Sequence, residues 1–253
     1  MTTIHPPAGL LTGKTAVVTG AAMGLGKAMA EVFVREGAKV LAVDVDPSVD
    51  AVAAAIGPGC SAIHADVSRE DEVAAIFARA RAEFGKLDVI VNNAATIYSA
   101  APEWSVASYK AFTDTNFLGV MLCTREAVNA MLETGGGVII NVSSVGSLNF
   151  EDRAPVIYSA GKAAVNSLTK AVAVKYARQG IRANVLAPGF THIEKTRRSS
   201  REVIEPMEQK SAFGRGGEVE EQAQVAAFLA SDRASYVNGV VLPVDGGWSA
   251  RMA

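Results

Sequence analysis

Thr15-Ala-Val-Val-Thr19 followed by Gly20-Ala-Ala-Met-Gly24-Leu-Gly26 is the stretch that decides the fold. A short run of Val, Ala and Thr reads as a buried strand. An amphipathic segment follows the glycines, with Ala28, Phe33 and Val34 among its apolar positions, and ends near Gly37. Glycines between a strand and a helix let the backbone approach a pyrophosphate, and the helix start offers unpaired N–H groups to its charge. The spacing is Gly-x-x-x-Gly-x-Gly rather than the better-known Gly-x-Gly-x-x-Gly. Such a turn can also do no more than close a strand on a helix. Its place directly after the first strand favours a cofactor cradle made by Gly20, Met23, Gly24, Leu25 and Gly26.

The same alternation continues outward from this unit. Lys39-Val-Leu-Ala-Val-Asp44 repeats the buried-strand pattern, and further strand candidates lie at 61–65, 87–91, 137–142, 181–187 and 239–243. Helix-like segments occupy 69–84, 103–132, 155–178 and 218–230. Strands separated by helix-length crossovers imply a parallel sheet covered on both faces, because a parallel connection must travel back along the sheet. Near-continuous apolar strands such as Val138-Ile-Ile140 suit that burial. The expectation is an α/β chain forming a single doubly wound domain over residues 1–253, with about seven strands. One long irregular interval, roughly 188–217, reads as a lid (190–215) or as a stretch with small helices of its own.

Composition narrows the class. A chain of 253 residues, 49% hydrophobic and 20% charged, can bury a substantial core. A formal net charge of -2 gives no general attraction to nucleic acid or anionic membrane. Cys60 and Cys123 do not suggest a disulfide framework and suit a reducing, cytoplasmic setting. Residues 1–11 lack a basic segment followed by an apolar stretch, so no signal peptide is expected there. No apolar run approaches the ~20 residues a membrane span needs. His5, His64 and His192 are scattered, and no His/Asp/Glu spacing resembles a metal site.

Asp44 ends the second strand, where a carboxylate can accept hydrogen bonds from an adenosine ribose. A 2′-phosphate there would bring like charges together, and no Arg or Lys lies at 21–25 or 45–46 to offset them. The expected cofactor is therefore NAD(H). Tyr158 and Lys162, four apart in a helical run, share one helix face. A phenol titrates near pH ~10, and a nearby positive charge favours its phenolate, making it a usable acid/base near neutral pH.

Taken together these residues resemble the short-chain dehydrogenase/reductase family in its short, single-domain form, over Lys14 to Gly247. The matching pieces are Thr19-Gly20-Ala-Ala-Met-Gly24-Leu-Gly26, Asp66-Val67, Asn92-Asn93-Ala94-Ala95, Asn116, Ser144, Tyr158 with Lys162, and Pro188-Gly189. The resemblance implies a Rossmann-type sheet and hydride transfer between a nicotinamide and an alcohol or carbonyl carbon. It makes Tyr158 the general acid/base and gives Lys162 two tasks, lowering the tyrosine pKa and holding the nicotinamide ribose. Ser144 would hydrogen-bond the substrate oxygen, with Ser143 as the competing hydroxyl at the same strand end. Asn116 would anchor a water that links the lysine to solvent. Around the cofactor, Asp44 and Val45 would border the adenosine ribose, Asp66 and the Val67 backbone the adenine, and Asn93, Ala94 and Ala95 would pass under that ribose. Asparagines at strand ends also commonly tie turns together. Ala95 replaces the usual glycine, a small change.

The departure lies after Pro188-Gly189, where the family usually has a branched apolar residue and, two places on, a threonine. Thr191 and Ile193 stand there. The Thr191 backbone or hydroxyl would meet the nicotinamide carboxamide. The lid that follows is charged, with Glu194, Lys195, Arg197, Arg198, Arg201, Glu202, Glu205 and Lys210. It reads either as a solvated lid of mixed sign or as a source of an arginine for an anionic substrate group, a role Arg153 could also fill. Met207 and Phe213 read as packing residues. By family analogy the closing segments, Glu218 to Ser231 and Asn238 to Gly247, pack against partner subunits in a homotetramer.

Three functional readings follow. One is an NAD(H)-dependent oxidoreductase acting on a secondary alcohol or its ketone, a small-molecule substrate. The others are an epimerase or dehydratase on the same fold, and an NAD(H)-binding regulator without turnover. The short chain, without a separate substrate domain, weighs against the second. The reactive Tyr158 set weighs against the third.

Overall fold

The computed structural model describes residues 9–97, 99–149 and 154–251. In chain order the main elements are β1 (Thr15–Thr19), α1 (Gly24–Arg35), β2 (Lys39–Asp44), α2 (Val49–Ile56), β3 (Cys60–His64), α3 (Glu70–Phe84) and β4 (Val89–Asn92). Then follow α4 (Val106–Thr113), a π-helical turn (Asp114–Gly119), α5 (Val120–Thr134), β5 (Gly137–Val142), α6 (Val156–Tyr176) and β6 (Ile181–Pro188). The last third adds β7 (Thr191–His192), α7 (Glu194–Arg197), α8 (Arg201–Glu208), β8 (Gly217–Glu218), α9 (Val219–Ala230) and β9 (Val241–Val244).

Seven strands form one sheet in the order β3-β2-β1-β4-β5-β6-β9, with every neighbouring pair parallel. Side chains along each strand alternate between two apolar layers. Val18, Val40, Val91 and Ile140 join α1 and α9 on one face, while Val17, Leu41, Ile90 and Ile139 join α3 and α5 on the other. This double burial explains why the strands read as continuous apolar runs. The strand order reverses between β1 and β4, and ligands of open α/β sheets bind at the carboxyl ends beside such a switch point. Gly20, Asn93 and Ser143 all follow the carboxyl ends of strands near that place.

Two local features depart from the sequence reading. The run at 103–132 is divided by the π-helical turn, which places Asn116 and Gly119 inward. Gly119 is needed there, because a Cβ would lie 2.8 Å from Val67 Cγ2. The short, alanine-rich α2 carried too little periodicity to be anticipated. Between β6 and α9 the chain forms α7 and α8 and a two-residue β7–β8 pairing, so the irregular interval has structure of its own. Among the described residues no helix is long and apolar enough to cross a membrane.

Candidate active site

Three hydrogen bonds lock the end of β5 to α6 and set the reactive face. Lys162 Nζ donates to the Val142 carbonyl at 2.8 Å, Ser143 Oγ donates to the Lys162 carbonyl at 3.0 Å, and Asn166 Nδ2 donates to Ser147 Oγ at 2.8 Å. The amine of Lys162 lies 5.8 Å from the centre of the Tyr158 ring. That ring packs edge-on against Phe112, with centroids 6.5 Å apart. Ser143 and Ser144 therefore differ in kind. Ser143 is buried and its hydroxyl is used inward, whereas Ser144 is half-buried, accepts the Gly146 N–H at 3.1 Å and opens a short 3-10 turn.

Behind this face runs a buried polar chain. Asn92 Nδ2 donates to Asn141 Oδ1 (2.8 Å), Asn141 Nδ2 to Thr169 Oγ1 (2.8 Å), and Thr169 Oγ1 to the Val165 carbonyl (2.7 Å). It fixes the relative position of β4, β5 and α6, since unsatisfied groups at that depth would be costly. Asn141 and Thr169 were not singled out from sequence, because their partners are remote in the chain. Asn116 is buried and pairs with the Thr96 backbone in both senses, its Oδ1 accepting at 2.7 Å and its Nδ2 donating at 2.8 Å.

Lys162 is only 2% exposed, and loss of water pulls its pKa down from 10.5 to about 8. Between those values the unfolded chain holds a proton that the folded chain has released, so stability rises with pH through that window. Below about pH 8 the fold bears the full cost of the buried charge, on the order of 3 kcal/mol at ~1.4 kcal/mol per pKa unit. Urea unfolding of the wild type and Lys162→Met tests this. The wild type should gain about 3 kcal/mol on the variant between about pH 7.5 and pH 10.5. Parallel pH dependences would mean the amine is not desolvated.

The second half of the site is the glycine turn. Gly20 and Gly24 take left-handed φ values of +68° and +56°, and no side chain at Met23 caps α1. Asp44 Oδ2 accepts the Ala22 N–H at 2.9 Å and its Oδ1 the Asp46 N–H at 3.0 Å, so the carboxylate braces the turn while staying half-buried. Met23 and Val45 are exposed and Leu25 is half-buried. Asn93 is committed to structure, its Nδ2 donating to the carbonyls of Thr19 (2.9 Å) and Gly20 (3.1 Å). Ala94 lies against Gly20, Ala95 is exposed, and Asp66 Oδ1 accepts the Ser68 N–H at 2.8 Å beside buried Val67. Pro188 ends β6 in the core and Gly189 follows it half-buried. Thr191 is buried, its hydroxyl donating to the Gly189 carbonyl at 3.1 Å. A backbone cradle at a helix start that its own N-cap residue, Met23, leaves uncapped, with a carboxylate on the adjoining strand, fits a dinucleotide.

In and beside the lid, three arginines find acidic partners within the chain. Arg197 pairs with Glu218, Arg201 with Glu208 at 2.6 Å, and Arg215 with Glu221 at 2.7 Å. Glu208 is buried and also meets His192 at 3.1 Å, which ties α8 to β7. Lys210 lies over the Trp248 ring at 5.2 Å. Met207 and Phe213, expected to pack, differ: Phe213 is 74% exposed while Met207 is half-buried. Arg153 lies outside the described residues. Both cysteines are free, and burial raises their thiol pKa values, to about 11 at Cys60 and about 12 at Cys123.

The chain is similar to known proteins over nearly its whole length. A family model described as enoyl-(acyl carrier protein) reductase matches residues 20–249. A cis-4-hydroxycyclohexanecarboxylate dehydrogenase of Sinomonas cyclohexanicum is 42% identical over 94% of this chain and 97% of its own. A crystal structure of 3-ketoacyl-(acyl-carrier-protein) reductase from Brucella melitensis complexed with NADH superposes with a TM-score of 0.88, at 35% identity over 94% of this chain and 99% of that one. A structure described as an NAD(P)-dependent gluconate 5-dehydrogenase from Beutenbergia cavernae, with NADP at low occupancy, gives 0.88 at 36% identity over 95% and 98%. Sequence order, sheet topology and relatives spanning nearly the full length converge: the chain belongs to the short-chain dehydrogenase/reductase family, oxidoreductases that work between an alcohol carbon and its carbonyl.

Proposed function

We propose that this protein interconverts a cyclic secondary alcohol and its ketone with NAD(H) as cofactor. The observation that carries the reading is the buried Lys162 amine, held by the Val142 carbonyl 5.8 Å from the Tyr158 ring centre. Bound NAD would accept the hydride from the alcohol carbon. Tyr158 would take the hydroxyl proton as that hydride leaves, and return it in the reverse direction. Ser144 Oγ would hydrogen-bond the same oxygen and stabilise charge developing on it. Lys162 would favour the phenolate and offer N–H donors to the nicotinamide ribose. Asn116 would hold a water behind the lysine. The Thr191 hydroxyl is used within the chain, so its backbone would meet the carboxamide. The cyclic substrate class comes from the cyclohexane-ring dehydrogenase relative. Engagement of Arg197 and Arg201 by Glu218 and Glu208 supports a lid that excludes water rather than one that binds an anion.

For the cofactor, Asp44 would meet the adenosine ribose, where its carboxylate would repel a 2′-phosphate, and the neighbouring Val45 and Asp46 bring no compensating positive charge. The Ser48 backbone N–H holds the Asp46 carboxyl below its ordinary range. Steady-state kinetics over cyclic alcohols, with and without a carboxylate, should show NAD preferred to NADP by on the order of 100-fold in kcat/KM. Asp44→Ala should shrink that ratio about tenfold. An NADP preference in the wild type would overturn the assignment. The same reading has residues 1–253 acting as one cytoplasmic domain with residues 190–215 as its lid, assembled as a homotetramer on two-fold axes, and solution mass tests the assembly.

A further inference from the structure

The first turn of α1 is not empty of charge. The Gly24 N–H, the first of the helix, donates to Glu194 Oε2 at 3.2 Å, across 170 residues of chain. Met23 supplies no side-chain cap, so the lid carboxylate is the acceptor the helix start has acquired. Its approach is well defined. Ile193, immediately before it, puts Cγ2 only 3.4 Å from where a Cβ on Gly24 would be. The turn is closed by Thr196, whose Oγ1 accepts the Ile193 N–H at 2.8 Å and donates to the Ile193 carbonyl at 3.0 Å. Arg197, at the end of the same short helix, is anchored to Glu218.

A carboxylate at a helix start gains from the aligned peptide dipoles, as an oxyanion of a pyrophosphate would. Both cannot use the Gly24 amide at once, and two anions at contact distance repel. We infer that Glu194 is a built-in competitor of the cofactor pyrophosphate: its carboxylate holds the Gly24 amide in the free protein and must leave when the dinucleotide enters. This rests on reading the Gly20–Gly26 turn as the cofactor cradle. The consequence is a deliberate loss of cofactor affinity, with faster release of the spent dinucleotide. Glu194 is solvent-exposed, so its replacement leaves the core untouched.

Calorimetric titration of the full chain, Glu194→Gln and Glu194→Ala with NADH, ADP-ribose and adenosine tests it without any turnover. Both variants should bind NADH and ADP-ribose about 3- to 10-fold more tightly than the wild type. Adenosine, which lacks the pyrophosphate, should bind all three alike. Equal or weaker NADH binding by the variants, or an equal gain for adenosine, overturns the inference while leaving the cofactor site intact. Failure of the wild type and both variants to bind NADH or ADP-ribose overturns the cofactor reading itself, and the inference with it.

Discussion

Tyr158→Phe is expected to lower turnover by roughly 1,000-fold or more while changing NAD(H) affinity by no more than about twofold. The substitution removes one oxygen and keeps the ring. The ring keeps its edge-on packing against Phe112, and Lys162 keeps its hydrogen bond to Val142. What disappears is the only group proposed to exchange a proton with the substrate oxygen. General acid–base catalysis of this kind contributes about 100- to 10,000-fold. The top of that range is expected, because Ser144 cannot replace the phenol: among the described residues His64 lies against the Val45 carbonyl and His192 against Glu208, so neither activates it. Measuring NADH binding by fluorescence beside steady-state turnover separates the two effects. Retained turnover would remove Tyr158 from the chemistry. An inactive wild type that still binds NADH would favour the regulator reading.

Gly26→Ala should be as damaging, but through the backbone. A Cβ at that position would sit 2.0 Å from the Gly20 carbonyl oxygen and 2.5 Å from Asn93 Nδ2. The first neighbour is main chain and cannot step aside as a flexible side chain would. Either the glycine turn opens, breaking the Asn93 bonds to Thr19 and Gly20, or α1 moves off β1. A cost of about 3 kcal/mol or more is expected, with Tm falling by about 6–12 °C and NAD binding lost. Gly161→Ala is the control. That glycine lies within α6, has nothing within 4 Å of a new Cβ and does not adopt a left-handed φ. It should cost nothing, and relief of glycine flexibility should add about 0.5–1 kcal/mol. If thermal unfolding ranked the two alike, the close approach at Gly26 would not be what the turn depends on.

Most of the sheet was legible because strand and helix periodicity are local properties. The apolar runs at 15–19, 39–44 and 137–142 are strands at the same bounds in the structure, and the glycine turn opens α1 where the spacing placed it. Tyr158 and Lys162 were legible for the same reason, since a four-residue spacing fixes a shared helix face without reference to the rest of the chain. What the sequence left open were questions whose answers lie far away in the chain. Ser143 and Ser144 are adjacent and chemically alike, and the family pattern favoured Ser144; how each is held is decided by the docking of α6, which sends the Ser143 hydroxyl to the Lys162 carbonyl and leaves Ser144 half-buried. The lid read either as a solvated surface of mixed sign or as a source of an arginine for an anion, and only folding shows Glu218 paired with Arg197 and Glu208 with Arg201.

Sequence by itself thus determined the covered parallel sheet, the glycine turn after its first strand and the shared helix face of Tyr158 and Lys162, because each is written within a few residues by periodicity, backbone freedom or spacing. Tertiary structure alone decided that Lys162 is drained of water, that Gly26 tolerates no methyl group while Gly161 does, and that Glu194 reaches the first amide of α1. Desolvation, close backbone approach and charge placement are sums over neighbours, and the neighbours are chosen only when the chain folds.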